Sequence, residues 1–483
     1  MKYTQIERQG STMKDVIALE FNELNPEVLQ RMMAAGKLPN FSRLLKSNPM
    51  LTTRAEESYV NLEPWIQWVT VHTGKSQREH GAFNLSDVQH SDMLQAWDLM
   101  AQQGIRCGVV SPMNARRGNF ESGFFIPDPW STSNDTFPQG LHPVYQFLQQ
   151  RVQSHNISLE AGASRMGFAM ALLRLGMPLR HVADVAMAYV ASRLDPKKKW
   201  RLAAELDRFL WRLTKILRNK FKTGFTSVFM NSVAHYQHHY WTNHDAPHWA
   251  PRYPALFSRT NPMSEANLHP GDDPIAYGMQ VYDDIVGEAL DEVGPEGLII
   301  ITGLSQVPFD GKLDKSAPAQ GFYLYRPFEH EAMLKALNIQ HGRVAPLMSR
   351  DMMVYFDSEA QRQKALNELK SVTVNGQAVF SCTQETDLRL FCKVFFSDAA
   401  ADNAPIQMSG QTVPGVTFGQ LFKLITFKTG HHHCDGLVIA PRQALDGANP
   451  GDVLPLVKIT DVLFKMVGLR DAGHLASDLR RAA

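Results

Sequence analysis

Two short stretches of this chain carry an unusual density of imidazole. His235, His238 and His239 fall within residues 231–241 (NSVAHYQHHYW), and His431, His432 and His433 form an unbroken run followed by Cys434 and Asp435. Carboxylates stand earlier in the chain: Glu20 and Glu23, with Asn22 between them, and then Glu56, Glu57 and Glu63. Imidazole nitrogens and carboxylate oxygens are common donors to zinc, and the same groups serve as general acids and bases near neutral pH. A lone histidine is most often an ordinary surface or core residue, and a histidine triplet can equally be a polar loop. Cys434 has no base fixed by spacing and reads as a small packed residue rather than a nucleophile.

These residues need a scaffold, and the sequence describes one. Residues 15–21 read as a short buried strand, which puts Glu20 and Asn22 on the same side. A helix after Asn25 carries Val28, Leu29, Met32 and Met33 and stops at Gly36; Pro39 opens another through Leu45. A helix over 94–103 precedes a strand at 107–110. Such alternation predicts an α/β fold, a mostly parallel sheet with helices on both faces. The pattern returns with a strand at 226–230, a helix over 274–292 and the branched aliphatic run 297–302, a buried strand. Residues 242–275, rich in Pro, Asn, Asp and His, read as an ordered loop. Asn375-Gly376 marks a hairpin within 372–379, and the chain closes with a strand at 436–440 and a helix over 459–469.

Residues 157–222 differ in character. They are helical in pattern and hold 14 Lys/Arg against 5 Asp/Glu, so they are expected to be an insert or cap on the core. The expected division is 1–156 as the first part of the core, 157–222 as the basic helical insert, and 223–483 as the rest, with a smaller subdomain near 320–400. Lys197–Lys199, Arg201, Arg208, Arg212 and Lys215 could draw an anionic substrate, lipid headgroup or polysaccharide. A solvated helix face is the plainer reading, with Leu202, Leu206, Phe209, Leu210 and Leu213 as a core-facing stripe.

Composition bounds the function. The chain has 483 residues and 44% hydrophobic content, and its mean hydropathy of -0.25 excludes a multi-span membrane protein. No stretch reaches the roughly 20 apolar residues of a spanning helix, so no transmembrane segment is expected. The formal charge of +1 names no polyanionic partner, and there is no RNA-binding or helix-turn-helix pattern, so nucleic acid is not expected. The first residues lack the apolar run of a secretion signal. Four cysteines without a CxxC pair imply neither a disulfide framework nor a thiolate zinc cluster. A cytoplasmic location is expected.

Five segments, taken in order, resemble the type I phosphodiesterase and nucleotide pyrophosphatase group of the alkaline phosphatase superfamily. Residues 16–26 (VIALEFNELNP) and 36–45 (GKLPNFSRLL) are similar to the family's opening strand, first metal aspartate and G-x-L-P-N-x-x-x-L. Residues 68–75 (WVTVHTGK) with His80-Gly81 resemble its W-T-S-x-x-T-G-x and H-G; 231–241 resembles its D-x-x-Q-H-x-x-W; 299–305 (IIITGLS) stands in the place of its S-D-H-G. Residues 430–440, with 459–469, resemble its late metal histidine, following strand and final helix.

The resemblance implies an alkaline-phosphatase-like three-layer sandwich and a divalent metal site at the carboxyl edge of the sheet, where family members use two ions and a Thr, Ser or Cys nucleophile. This sequence departs from that pattern. Glu20 replaces the first aspartate, and Pro64, beside Glu63, falls at the nucleophile. Ala234, Gly303 and Leu304 replace three further ligands, while His238 and His432 are kept. The implied site is one divalent ion, zinc by donor type, on Glu20, His238 and His432. Glu23 and Glu63 are then the catalytic base candidates, and Asn22, His235 and His433 the substrate-binding ones. The expected activity is metal-assisted hydrolysis or transfer of a phosphate (phosphodiester) or sulfate ester, with an anionic small-molecule, glycan or lipid ester as substrate. Two alternatives stand beside it: a catalytically inactive relative that binds a ligand or partner, and a standard two-metal enzyme whose ligands lie elsewhere.

Overall fold

The computed structural model describes residues 15–55, 61–85, 87–119, 121–131, 133–153, 165–311, 321–346, 350–384 and 388–469. Glu56, Glu57 and the first residues of the basic segment, 157–164, lie outside that set. The chain divides into two compact units: one of residues 1–246, 266–308 and 430–483, the other of 247–265 and 309–429.

The first unit is built on an eight-stranded sheet. Its labelled strands are β1 (Val16–Phe21), β2 (Met50–Arg54), β3 (Cys107–Val110), β4 (Gly123–Ile126), β5 (Phe225–Met230) and β6 (Leu298–Ile301). In space the order is Val453–Pro455, β2, Asp435–Ile439, β6, β1, β5, β3, β4. Only Asp435–Ile439 runs against the rest; the other pairings around β1 and β3 are parallel. The mixed α/β class and the mostly parallel sheet are those expected from the strand–helix alternation.

Central strands of such a sheet are buried on both faces, and β1 is buried along its whole length. Its odd and even residues meet different helices. Phe21 stacks on Tyr282 of the Pro274–Val293 helix at 4.1 Å, while Ala18 and Val16 share a core with Trp68 and Val71 of the Pro64–Thr73 helix and Leu463 of Ile459–Met466. Helices therefore cover the sheet on both sides, giving three layers.

The basic segment contributes the helices Arg165–Leu175, Leu179–Leu194 and Leu202–Phe221 to the first unit. Phe209, Leu210 and Leu213 of the last are buried. This helix also supplies a long-range cap. The Ser232–Tyr240 helix, which carries the first histidine cluster, has no side-chain cap of its own at Asn231. Asp207 reaches across instead: its carboxylate accepts from Ser232 N at 2.8 Å, Asn231 N at 3.3 Å and the Tyr282 hydroxyl at 3.1 Å. Exposed amides and the positive end of the helix dipole both favour an anion there.

The second unit has its own core around Leu334, Val354, Leu369, Leu390 and Ile406. Residues 247–265 within it, part of the stretch 242–275 read from composition as an ordered loop, carry short helices as well. They occupy Pro254–Phe257 and Pro262–Asn267; helices of four and six residues, each opened by a proline, are too short to show a 3.6-residue period.

Burial lifts the Asp207 pKa to about 6, against the opposing pull of its hydrogen bonds from Ser232, Asn231 and Tyr282. That lies above the unfolded value of about 4. The folded chain thus holds the extra proton between about pH 4 and 6, and this group's contribution weakens stability as pH rises through that window. In Asp207→Asn, chemical denaturation should show a flatter dependence of stability on pH there than the parent; an unchanged slope would contradict the cap. Asp207→Ala, which leaves the amides of Asn231 and Ser232 unpaired, should cost about 1–3 kcal/mol, and more below about pH 4 than above about pH 6.

Candidate metal centre

Three chain segments converge at the carboxyl ends of β1, β5 and β6. Beyond β1 the chain turns through Glu23, whose φ of 55° is left-handed, a conformation that costs a non-glycine residue about 1–2 kcal/mol. The turn is held by its neighbours. Gln237 Nε2 donates to the Glu23 carbonyl at 2.6 Å, the Asn25 amide donates to Gln237 Oε1 at 3.2 Å, and Asn25 Nδ2 donates to the Gln306 carbonyl at 2.6 Å. Asn25 also caps the Pro26–Ala34 helix through Val28 N.

Beyond β5 the Ser232–Tyr240 helix presents His238. Beyond β6 a short strand, β7 (Ser305–Pro308), pairs antiparallel with Gly430–His433 and sets His432 opposite Gln306. The triplet is thus a strand rather than a loop, and alternation sends His432 to the face opposite His431 and His433. Gly430 is required by close approach: a Cβ there would lie 2.5 Å from Gln306 Oε1 and 2.6 Å from the Gln237 carbonyl.

Glu23 Oε2 lies 3.2 Å from His238 Nε2 and 3.5 Å from His432 Nε2. The two rings are 5.4 Å apart between centroids. The Glu23 side chain is 2% exposed, His432 12% and His238 37%, so the cluster opens toward solvent past His238. Glu63 Oε2, 31% exposed, sits 3.5 Å from His432 Nδ1 on the ring's far edge. The Glu23 carboxylate also accepts from Asn22 Nδ2 at 2.9 Å and from Gln306 Nε2. Burial pushes the Glu23 pKa up, but the charges of His432 and His238 and their hydrogen bonds outweigh it, holding the carboxyl well below the usual carboxylate range.

The donor set fits a divalent ion. Glu23, His238 and His432 each offer a ligand atom, all within 4.8 Å of one another. Four donors at zinc bond lengths in a tetrahedron are about 3.4 Å apart, and the 3.2 and 3.5 Å carboxylate–imidazole separations bracket that spacing.

The other sequence candidates lie elsewhere. Glu20 and Asn22 do share a side of the strand, both facing the Pro64–Thr73 helix. Glu20 is 1% exposed and is bonded to His72 Nε2 at 3.2 Å through both oxygens and to the Ser227 hydroxyl. It stands outside the imidazole cluster, and Glu23 is the carboxylate that meets His238 and His432. Asn22 is buried and its amide is spent on the scaffold, accepting from Trp68 Nε1 at 2.8 Å and donating to Glu23 and Asn231. His235 is exposed, its ring 4.6 Å from that of His239.

His433 accepts from the Asp435 amide. With Cys434 and Asp435 it forms a second group of possible metal donors, but Arg54 binds both Asp435 oxygens, at 2.7 and 3.0 Å. Burial and the Asp435 carboxylate push the Cys434 thiol up, the reverse of nucleophile activation. Pro64 is the first residue of its helix, Thr73 donates to the Val69 carbonyl at 2.7 Å, and Thr70 is engaged with His80.

Gln237, Gln306, Asn231 and His72 were not singled out by sequence. Gln237 lies inside the histidine-rich segment and was readable in principle; Gln306 becomes visible only through its register with His432.

Removing the Glu20 carboxylate leaves the His72 Nε2 and the Ser227 hydroxyl buried without it, at about 1–3 kcal/mol per group. Glu20→Ala should therefore lower the melting temperature by several degrees. A variant with the parent's melting temperature would show that Glu20 is not the structural strut described.

No family model matches the chain, and no curated protein does. Similar solved structures include the phosphonoacetate hydrolase of Sinorhizobium meliloti 1021 in complex with phosphonoformate, at 12% identity and a TM-score of 0.41, covering 97% of this chain and 99% of that one. A variant of the alkaline phosphatase PafA overlaps at 12% identity and 0.46, covering 95% and 97%. An alkaline phosphatase from the Antarctic bacterium TAB5 overlaps at 10% and 0.37, covering 95% and 100%. These are alkaline phosphatase superfamily members at low sequence identity.

Proposed function

We propose that Glu23, His238 and His432 hold one divalent ion, zinc by donor type, and that the protein is a metal-assisted hydrolase or transferase of phosphate esters. The observation that carries this reading is the meeting of one buried carboxylate and two imidazoles from three separate strand ends, at ligand spacing. An ion held there supplies Lewis acidity to a phosphoryl oxygen and makes water acidic enough to attack near neutral pH.

The chain's own residues do the rest. Glu23 is fixed by Asn22, Gln306 and Gln237, so its carboxylate stays ionised and aimed. Glu63 stands beyond His432 on the Nδ1 side of the ring, where a carboxylate fixes the tautomer and orientation of the imidazole. With Pro64 beside it, the position offers no hydroxyl nucleophile, which favours direct attack by water over a covalent intermediate. The exposed edge at His238 admits a small anionic ester; a glycan or lipid ester is the wider form of the same proposal.

A second reading has its own support. Glu23 is satisfied by Asn22, Gln306 and two imidazoles without any ion, as a silent superfamily relative that binds a ligand or partner would require.

Metal analysis of protein purified without chelator separates the two. The expected result is about one metal per chain in the parent and in Glu20→Gln, with loss in Glu23→Gln, His238→Ala and His432→Ala. A metal-free parent would support the silent relative instead. On a panel of aryl phosphate, phosphodiester and sulfate esters, Glu63→Gln should retain metal yet lose about 10–100-fold in kcat; undiminished turnover would remove Glu63 from the reaction.

A further inference from the structure

The basic segment carries an apolar face that none of the described residues covers. Six of the ten large hydrophobic side chains exposed among the described residues belong to the Arg165–Leu175 and Leu179–Leu194 helices: Met170, Leu173, Leu179, Met187, Val190 and Leu194, at 45–82% exposure. Their inner sides are packed. Phe168 stacks on Phe147 at 3.8 Å, and Asp184 is bound by Arg212 of the neighbouring Leu202–Phe221 helix at 2.8 Å.

At about 100° per residue, Leu179, Ala183, Ala186, Met187, Val190 and Leu194 fall within one arc of about 100° on the second helix. Arg180 and Arg193 stand at its two margins, and both are exposed. Between residues 165 and 194 the sequence holds four arginines and one carboxylate, Asp184, which Arg212 already neutralises. Asp195, paired with Lys198 and His269, comes next, and Lys197, Lys198, Lys199 and Arg201 follow it.

We propose that this helical pair docks the protein on anionic phospholipid bilayers, lying in the interface without crossing it. A scattered exposed leucine is ordinary, but a contiguous apolar stripe on a soluble fold marks an interaction surface. The margins decide the partner. Arginines beside an apolar arc set their stems along it and their guanidinium groups into a headgroup layer, and anionic lipid attracts basic residues near its surface. A second copy of the chain fits poorly, because a two-fold contact of this face with itself would oppose like charges. No described helix is long and apolar enough to cross a membrane, so the contact is peripheral. The proposal stands independently of the metal centre.

Vesicle flotation tests it, with the full chain, phosphatidylcholine vesicles, and phosphatidylcholine vesicles carrying about 30% phosphatidylserine. The parent should float with the anionic vesicles alone, and less so as salt is raised. Two double variants, Met187→Asp with Leu194→Asp and Arg180→Glu with Arg193→Glu, alter exposed side chains only. Each should bind at least about tenfold more weakly, with the parent's far-ultraviolet circular dichroism. The proposal is overturned by a parent that does not float, or by variants that float as the parent does. It is equally overturned by a concentration-dependent dimer that the first variant breaks while no form binds vesicles.

Discussion

The ionised carboxylate of Glu23, buried at the edge of the sheet, is the constraint on which the rest of the first unit depends. A carboxylate removed from water costs several kcal/mol unless its lone pairs are met. Here Asn22, Gln306, His238 and His432 meet them, and each comes from a different part of the chain. The left-handed backbone at Glu23 adds to the cost, and Gln237 offsets it at the carbonyl. Local strain at a strand end, supported from several sides, is a pattern found at functional sites.

From this point the organisation of the unit follows. β1 must be flanked by β5 and β6, because the segments that leave them carry His238 and the partner strand of His432. The Leu202–Phe221 helix belongs to the same logic: its Asp207 holds the end of the histidine-bearing helix packed beside it. One helix of the basic segment is therefore part of the site's foundation, while the two before it turn apolar and arginine side chains outward.

Much of the scaffold was legible in the sequence. The alternation of short aliphatic strands with helices gave the parallel sheet, and Asn375-Gly376 forms its hairpin turn with both residues at positive φ, as such a pair prefers. The two histidines were legible as candidates, and the strand period placed Glu20 beside Asn22. The choice between Glu20 and Glu23 was not legible. By alternation alone Glu20 points to the helix layer, but whether that layer holds a metal or, as it does, the buried His72 depends on a residue 52 positions away. Glu23 reaches the imidazoles through a left-handed turn, which no periodicity announces. The short helices Pro254–Phe257 and Pro262–Asn267 escaped for the opposite reason: at four and six residues neither is long enough to show a repeating stripe.

The measurement closest to the central claim is anomalous diffraction from crystals grown with zinc and collected at its absorption edge. A single strong peak about 2.0–2.2 Å from Glu23 Oε2, His238 Nε2 and His432 Nε2 is the expected result. A map with no peak there, or with its only ordered ion beside His433, Cys434 and Asp435, would contradict it.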